Sequence, residues 1–316
     1  MLGMITMLTK MVYKNVYAFE YLKYLRDRVN KVLVSDERYI RNTYRKALGR
    51  NLELQHPTLY NDKINFLKLN WTHPFLTMCA DKVAVRDFVK ERIGANYLVP
   101  ILGIFDNVDD IDFNVLPKSF VIKASHGSGW IIIVKDKDSE NLDLYKKRMR
   151  LWLKSNYYFR AREKVYKDIP PRIIIEPFLK INDNPPDDYR IFCFHGEPRF
   201  IFLDMEKYEE DHIIKRNVYD INWNLLDVKV QYPCLPNKKI EKPKELDLLV
   251  SLSKKLSKDF LHVRVDFYSF DGLVYFGELT FFHGSGFQKI NPSRFEKEMG
   301  DLVDLNQINI DEFSDI

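Results

Sequence analysis

The chain has 316 residues, room for two or three modest domains or one large α/β unit. Hydrophobic residues make up 46% and charged residues 30%, which excludes a disordered chain, and a net charge of +4 does not mark a nucleic-acid binder. Cys79, Cys193 and Cys234 are widely spaced with no CxxC pair, so they support neither a disulfide framework nor a zinc site and fit a reducing cytoplasm.

In chain order, the N-terminal stretch is interrupted by Lys10 and Lys14 and lacks the apolar core of a signal peptide. No stretch reaches the ~20 apolar residues of a membrane span. Val12, Val16, Phe19 and Leu22 recur at helical spacing and predict a helix whose apolar face packs on the protein's own core, with a membrane surface or partner as the alternative. Residues up to about Leu98 read as mostly helical, with Ser35-Asp36 as a cap and Ala80-Asp81-Lys82 opening a helix through Val89. LVPILGIFD (98–106) has the continuous apolar character of a buried strand. From Pro117 to Trp130 the pattern is strand, then glycine loop, and Ile131–Val134 is a second strand.

A long helix is predicted from Leu142 to about Lys167. Its run of Lys146, Lys147, Arg148, Arg150, Lys154, Arg160, Arg162, Lys164 and Lys167 against Glu163 alone is either a solvated face or a surface for an anionic ligand. Strands follow at Arg172–Leu179, Tyr189–Phe194 and Arg199–Leu203, the last two joined by 195–198. Lys242–Lys258 reads as a helix, and 261–287 as a hairpin turning at Asp271-Gly272.

Four of these segments carry chemistry. Lys123 ends a strand ahead of His126-Gly127-Ser128-Gly129. Two glycines let backbone N–H groups approach a phosphate, and the ammonium supplies a point charge, although an ordinary hairpin connection explains the same letters. Glu176 closes an apolar strand before Pro177, as an adenine-side hinge or a simple strand stop. Asp187, Asp188 and Arg190 open another strand; Arg190 meets a transferring phosphoryl group or pairs with Asp188. In the last hairpin, a two-residue turn puts Asp266 and Glu278 on opposite faces. A three-residue loop, Phe270-Asp271-Gly272, puts both on one face, one diagonal step apart, with Arg264 opposite Glu278 and Val263, Val265, Phe267, Tyr275, Gly277 and Leu279 on the other face. Two such carboxylates can share a hard cation such as Mg²⁺. No GxSxG or HExxH occurs, which argues against a nucleophilic hydrolase or a zincin. His126 and His283 sit in glycine loops, for local hydrogen bonding or for substrate.

In order, the Lys–strand–GSG loop, EPFL, the DYR strand and VRVDFY…GELTF…GSGF resemble an ATP-grasp enzyme, and more narrowly the TupA-like ATP-grasp family, named for teichuronopeptide biosynthesis. The resemblance runs from KINFLKLN near Lys63 to about Phe287, with THPFLTMCADKVAVRDFV inside it. It implies an α+β ATP-grasp fold, two subdomains clamping ATP between antiparallel sheets behind a helical N-terminal region, with boundaries 1–80, 81–171 and 172–316. It implies Lys82 and Lys123 at the nucleotide phosphates, Gly127, Ser128 and Gly129 in the loop over them, and Glu176, Phe178 and Leu179 at the adenine hinge. Asp266 and Glu278 are implied as Mg²⁺ ligands, with Thr280 where most ATP-grasp enzymes have Asn. Arg190 and Arg264 are the catalytic cations, and His126, His283, Ser285 and Arg160 the substrate contacts. The implied chemistry is MgATP-dependent activation of a carboxylate on an acidic sugar or amino acid, as an acyl-phosphate that an amine attacks. A nucleotide-sugar glycosyltransferase, a sugar kinase and a non-catalytic binding module that has kept the fold are the rivals. The implied setting is surface-polysaccharide assembly in the cytoplasm or at the inner membrane face, beside other assembly enzymes, without nucleic acid.

Overall fold

The structure of the protein, a computed structural model, describes residues 16–29, 33–181, 185–205 and 214–308. Helix α1 covers 16–29. It is followed by α2 (Asp36–Leu48), α3 (Tyr60–Asn70), α4 (Leu76–Ala80), α5 (Val85–Arg92), β1 (Gly103–Phe105), β2 (Phe120–Ala124), β3 (Ile131–Val134), α6 (Leu142–Lys154), α7 (Tyr158–Ala161) and β4 (Ile173–Pro177). Then come β5 (Asp188–Phe194), β6 (Glu197–Met205), β7 (Lys215–Asp220), β8 (Lys229–Val230), α8 (Leu246–Ser257), β9 (His262–Phe270), β10 (Leu273–Thr280), β11 (Ile290–Asn291) and α9 (Ser293–Asp301).

Two compact units interleave along the chain. One gathers the described residues of Met1–Ser35 with Asp81–Val83 and Pro100–Phe178; the other gathers Asp36–Ala80, Ala84–Val99 and the described residues of Leu179–Ile316. This differs from the expected boundaries: 36–80 groups with the C-terminal residues, because α3 packs on α9 and α4 on β10.

In the first unit β1-β4-β2-β3 form an antiparallel sheet. Alternation decides its faces. Phe120, Ile122, Ala124, Ile132, Val134, Ile173 and Ile175 turn to a core shared with Tyr145, Met149 and Trp152 of α6. The Asn141 side chain starts α6 by accepting from the Leu144 N–H (3.0 Å).

In the second unit β10-β9-β5-β6-β7 form an antiparallel sheet, β11 pairs with β8, and α8 lies on β5, β6 and β9. The β5–β6 turn is two residues, His195-Gly196, both left-handed (φ 51° and 79°), with Phe194 paired to Glu197.

Several predicted elements are shorter than their patterns. Of 98–106 only Gly103–Phe105 forms a strand, with a lone bridge from Leu98 to Phe276, and Leu102 and Ile104 are exposed, because β1 is an edge strand next to Pro100. No helix opens at Ala80: the Asp81 side chain accepts from the Val83 N–H (2.9 Å) and holds a turn until α5 begins at Val85. The 142–167 helix breaks after Lys154, where the Asn156 side chain accepts from the Tyr158 N–H (3.0 Å), and α7 ends at the left-handed Arg162. The N-terminal face does not pack inward. Val16, Phe19 and Leu22 are exposed, and Val12 lies outside the described residues.

Candidate active site

In the second unit the decisive feature is the β9–β10 register. The turn is two residues, Asp271-Gly272 (φ 51° and 77°), since Phe270 pairs with Leu273. Such a turn alone would put Asp266 and Glu278 on opposite faces. A bulge at Gly277, between the pairs Phe276–Phe267 and Glu278–Asp266, shifts the strand by one residue. Asp266 therefore lies directly opposite Glu278, Arg264 opposite Thr280, and Phe276 takes the apolar place expected for Tyr275. Glycine at 277 eases the close approach, since a Cβ would stand 3.1 Å from the backbone oxygen of Asp266, a tight contact that the neighbour would have to relieve.

Arg264 ties the pair together. Its Nε donates to Asp266 Oδ1 (2.6 Å), its Nη2 to Asp266 Oδ2 (2.5 Å) and Glu278 Oε1 (2.8 Å), and its Nη1 to His283 Nδ1 (2.7 Å). Thr280 Oγ1 donates to the same Glu278 oxygen (2.9 Å). An Nδ1 that accepts from a guanidinium is unprotonated, and burial with the nearby Arg264 charge holds the His283 imidazole well below its ordinary pKa. Arg190 pairs with Asp204 (2.8 Å) and Asp188 (3.1 Å) and lies 3.7 Å from Asp266. Asp204 is also gripped by Arg216 through two bonds (2.5 and 2.8 Å). Burial would raise the Asp204 carboxyl, but Arg216 and Arg190 hold it below the usual carboxylate range. At Asp266 burial prevails, and its carboxyl is raised despite Arg264 and Arg190.

Among these side chains four carboxylates, Asp188, Asp204, Asp266 and Glu278, face three guanidiniums, Arg190, Arg216 and Arg264. The surplus is one negative charge, and Glu278 is the most exposed of the acids, at 33%. Two opposed carboxylates with a hydroxyl beside them fit a hard divalent cation. Among the described residues no group of three His, Cys, Asp or Glu side chains could hold a metal, so a cation here would complete its shell with water or ligand oxygens, as Mg²⁺ commonly does.

In the first unit β2 and β4 are antiparallel with Val121 opposite Glu176, and the Lys123 ammonium, opposite Ile174, reaches diagonally to Glu176 at 2.5 Å, both side chains largely buried. Lys82 follows α4 in the Asp81 turn, and its Nζ donates to the Gly127 carbonyl (2.7 Å) while its N–H donates to Ser125 O (3.2 Å). Asp81, in the same turn, pairs with Arg172 (2.5 Å). Ser128 and Gly129 are exposed; Gly127 is buried, where a Cβ would stand 2.5 Å from the Trp130 ring. Phe178 and Leu179 are half-buried after the strand end.

Three of the expected substrate contacts, His126, His283 and Arg160, have protein partners. His126 is buried, its Nε2 bonds the Trp152 carbonyl (2.9 Å) and its ring packs on Trp130, so it fastens the loop to α6. His283 is buried edge-on against Phe192 and Phe202 and acts on Arg264. Arg160 pairs with Asp27 (3.3 Å) and lies over Trp130 and Tyr157. The basic run is not one ligand-facing surface: Arg148 pairs with Glu20 (2.8 Å), Arg150 with Asp109, and Arg162 is buried, donating to Val34 O (3.4 Å).

Sequence reasoning missed Asp204, Arg216, Asn65 and Lys68. A lone acid on the inward side of the apolar FIFLDM strand was the available signal for Asp204. Asn65 donates to Gly286 O (2.9 Å) and the buried Lys68 to Ser285 O (3.0 Å), so KINFLKLN in α3 holds the loop that follows β10.

A family model for TupA-like ATP-grasp proteins matches residues 62–304. Among solved structures, the chain is similar to D-alanine–D-alanine ligase from Bacillus anthracis complexed with ATP (18% identity, 65% of this chain, 56% of that one, TM-score 0.38). It is similar to D-alanine–D-alanine ligase from Helicobacter pylori (13%, 78%, 67%, TM-score 0.43). It is also similar to the ATP-grasp ligase PsnB complexed with minimal precursor (12%, 74%, 62%, TM-score 0.41). The chain thus spans less than two thirds of the Bacillus ligase and of PsnB. No curated protein matches the chain.

Proposed function

The chain belongs to the TupA-like ATP-grasp family, and on that premise we propose that it is an ATP-dependent carboxylate–amine ligase of bacterial surface-polysaccharide assembly. The observation that carries this reading is the Gly277 bulge, which sets Asp266 and Glu278 face to face beside Arg264. In the reaction, a carboxylate oxygen of a hexuronic acid or amino acid attacks the γ-phosphorus of ATP and ADP leaves. An amine then attacks the acyl carbon, phosphate leaves, and the amine gives up a proton.

In the first unit Lys82 and Lys123 would bind the nucleotide phosphates, the backbone of Gly127, Ser128 and Gly129 would close over them, and Glu176, Phe178 and Leu179 would take the adenine side. The present partners of the two lysines support this, since a backbone carbonyl and a carboxylate each hold an ammonium in place. In the second unit Asp266 and Glu278, with the Thr280 hydroxyl, would hold Mg²⁺, which when bound neutralises phosphate charge. Arg190 and Arg264 offset the charge that develops on the transferring group, and neutral His283 orients Arg264 by accepting from it. Ser285 would meet the acceptor end. Asp136 and Asp138, which match the letters of a DxD motif, lie in a turn where Asp136 pairs with Lys118 (3.0 Å), and this gives a glycosyltransferase no support.

Thermal melting with MgATP, MgADP, UDP-glucuronate and UDP-glucose tests the reading on the wild type and on Asp266→Asn/Glu278→Gln. Magnesium-dependent stabilisation by ATP, absent in the double variant, is expected. Stabilisation by a UDP-sugar and none by ATP would replace the ligase with a glycosyltransferase.

A further inference from the structure

Helix α1 is amphipathic in the reverse sense. Its two acids turn inward: Arg148 donates to both oxygens of Glu20 (3.0 and 2.8 Å) and Arg160 to Asp27 (3.3 Å). Its apolar residues turn outward: Phe19 is 58% exposed, Leu22 63%, Leu25 40% and Val29 55%. Steps of three, three and four residues make them one stripe along the helix. Apolar area of this kind, continuous and uncovered, marks an interaction surface.

Charge tells what covers it. Beside the stripe the charged residues are Lys23, which lies over the Phe19 ring at 4.0 Å, Arg28, which donates to the Tyr24 hydroxyl (3.2 Å), and the half-exposed Arg26, which shares Asp27 with Arg160 and bonds it at 2.7 Å. With Glu20 held by Arg148 and Asp27 by Arg26 and Arg160, the cations outnumber the acids on this face. Residues 1–33 contain six Lys and Arg against these two acids. Arg28 and Lys154 also line an open cavity of about 420 Å³ with Tyr24, Asp27, Ser155, Asn156 and Phe159, roomy enough for a phosphodiester headgroup. A second copy of this face would bring like charges together. An anionic bilayer surface instead offers phosphates to the cations and acyl chains to the stripe. No described helix is long and apolar enough to cross a membrane, so the fit is to lying on the bilayer.

We propose that the outward face of α1 docks the protein on an anionic phospholipid membrane. This is independent of the ligase reading and adds a place of action to it. The test is sedimentation of the full chain with phosphatidylglycerol–phosphatidylcholine vesicles and with phosphatidylcholine vesicles alone. Binding to the anionic vesicles is expected, weakening as salt rises. Leu22→Ser/Val29→Ser should lower it about ten-fold or more, and Arg26→Ser/Arg28→Ser should lower it on anionic vesicles only. Both pairs are exposed, and MgATP-dependent melting should match the wild type in each. The proposal is overturned by absence of vesicle binding, by binding that Leu22→Ser/Val29→Ser leaves unchanged, or by a concentration-dependent dimer that the same pair abolishes.

Discussion

At the residue scale, the candidate site is made of charges that are buried and paired. Lys123 and Glu176 hold each other at 2.5 Å with 14% and 10% of their side chains exposed. Such a pair contributes little net stability compared with apolar residues of the same size, yet losing one partner leaves a buried charge. Lys123→Met should therefore destabilise the fold by about 3 kcal/mol, whereas Lys123→Met/Glu176→Leu should recover most of that loss. Urea unfolding of the two single variants and the double decides it; additive losses would mean that the pair is uncoupled. The identity of Lys123, Glu176, Asp266 and Glu278 as candidates was legible from their places at strand ends and on one hairpin. Their present partners were not, because Glu176 lies 53 residues from Lys123 and only the β2–β4 pairing brings them together.

At the element scale, α3, whose KINFLKLN opens the family resemblance, shows how a helix sets a loop far along the chain. Asn65 and Lys68 lie one turn apart on its inward side and hold the carbonyls of Gly286 and Ser285. Ser285 is left-handed (φ 58°), a backbone conformation that needs such support in a residue other than glycine. Lys68→Met should loosen the loop, so that the Ser285 and Phe287 amides, bonded to Phe282 O and Gly284 O, exchange about ten-fold faster. Hydrogen exchange followed by mass spectrometry reads this directly, and unchanged rates would show that Asn65 suffices. The β9–β10 hairpin teaches a similar lesson. Alternation in VRVDFY and GELTF revealed two strands and two acids, but a three-residue loop was the expected means of bringing them to one face. The chain uses a two-residue turn and a bulge at Gly277 instead, and the apolar partner of Phe267 is Phe276 rather than Tyr275.

At the scale of the whole molecule, buried histidines make stability depend on pH. The His262 ring bonds Cys193 O through Nδ1 (3.0 Å) and Tyr60 Oη through Nε2 (2.8 Å), and burial lowers its pKa to about 3. The unfolded ring titrates near 6.5. Between those values the unfolded chain binds a proton that the folded one does not, so stability is full above about pH 6.5 and falls as pH drops, by about 1.4 kcal/mol per unit for one proton. Burial lowers His126 and His283 in the same direction. Melting temperatures at neutral and mildly acidic pH should show the decline, and His262→Gln should make it shallower; an identical slope would assign it to other groups. By itself the sequence determined the fold class, through its resemblance to the TupA-like ATP-grasp family, and the order of the candidate glycine loop, Glu176 strand end and two-acid hairpin. Alternation, glycine spacing and charge, which are local properties of the chain, picked out the strands, the turns and the candidate side chains. Tertiary structure alone decided that His126 and His283 brace neighbouring groups, that the arginines of the basic run are largely paired or buried, and that α1 turns its apolar stripe outward. Those outcomes depend on partners such as Trp152, Arg264 and Glu20, distant along the chain, and periodicity reports which residues share a face without saying which way that face turns.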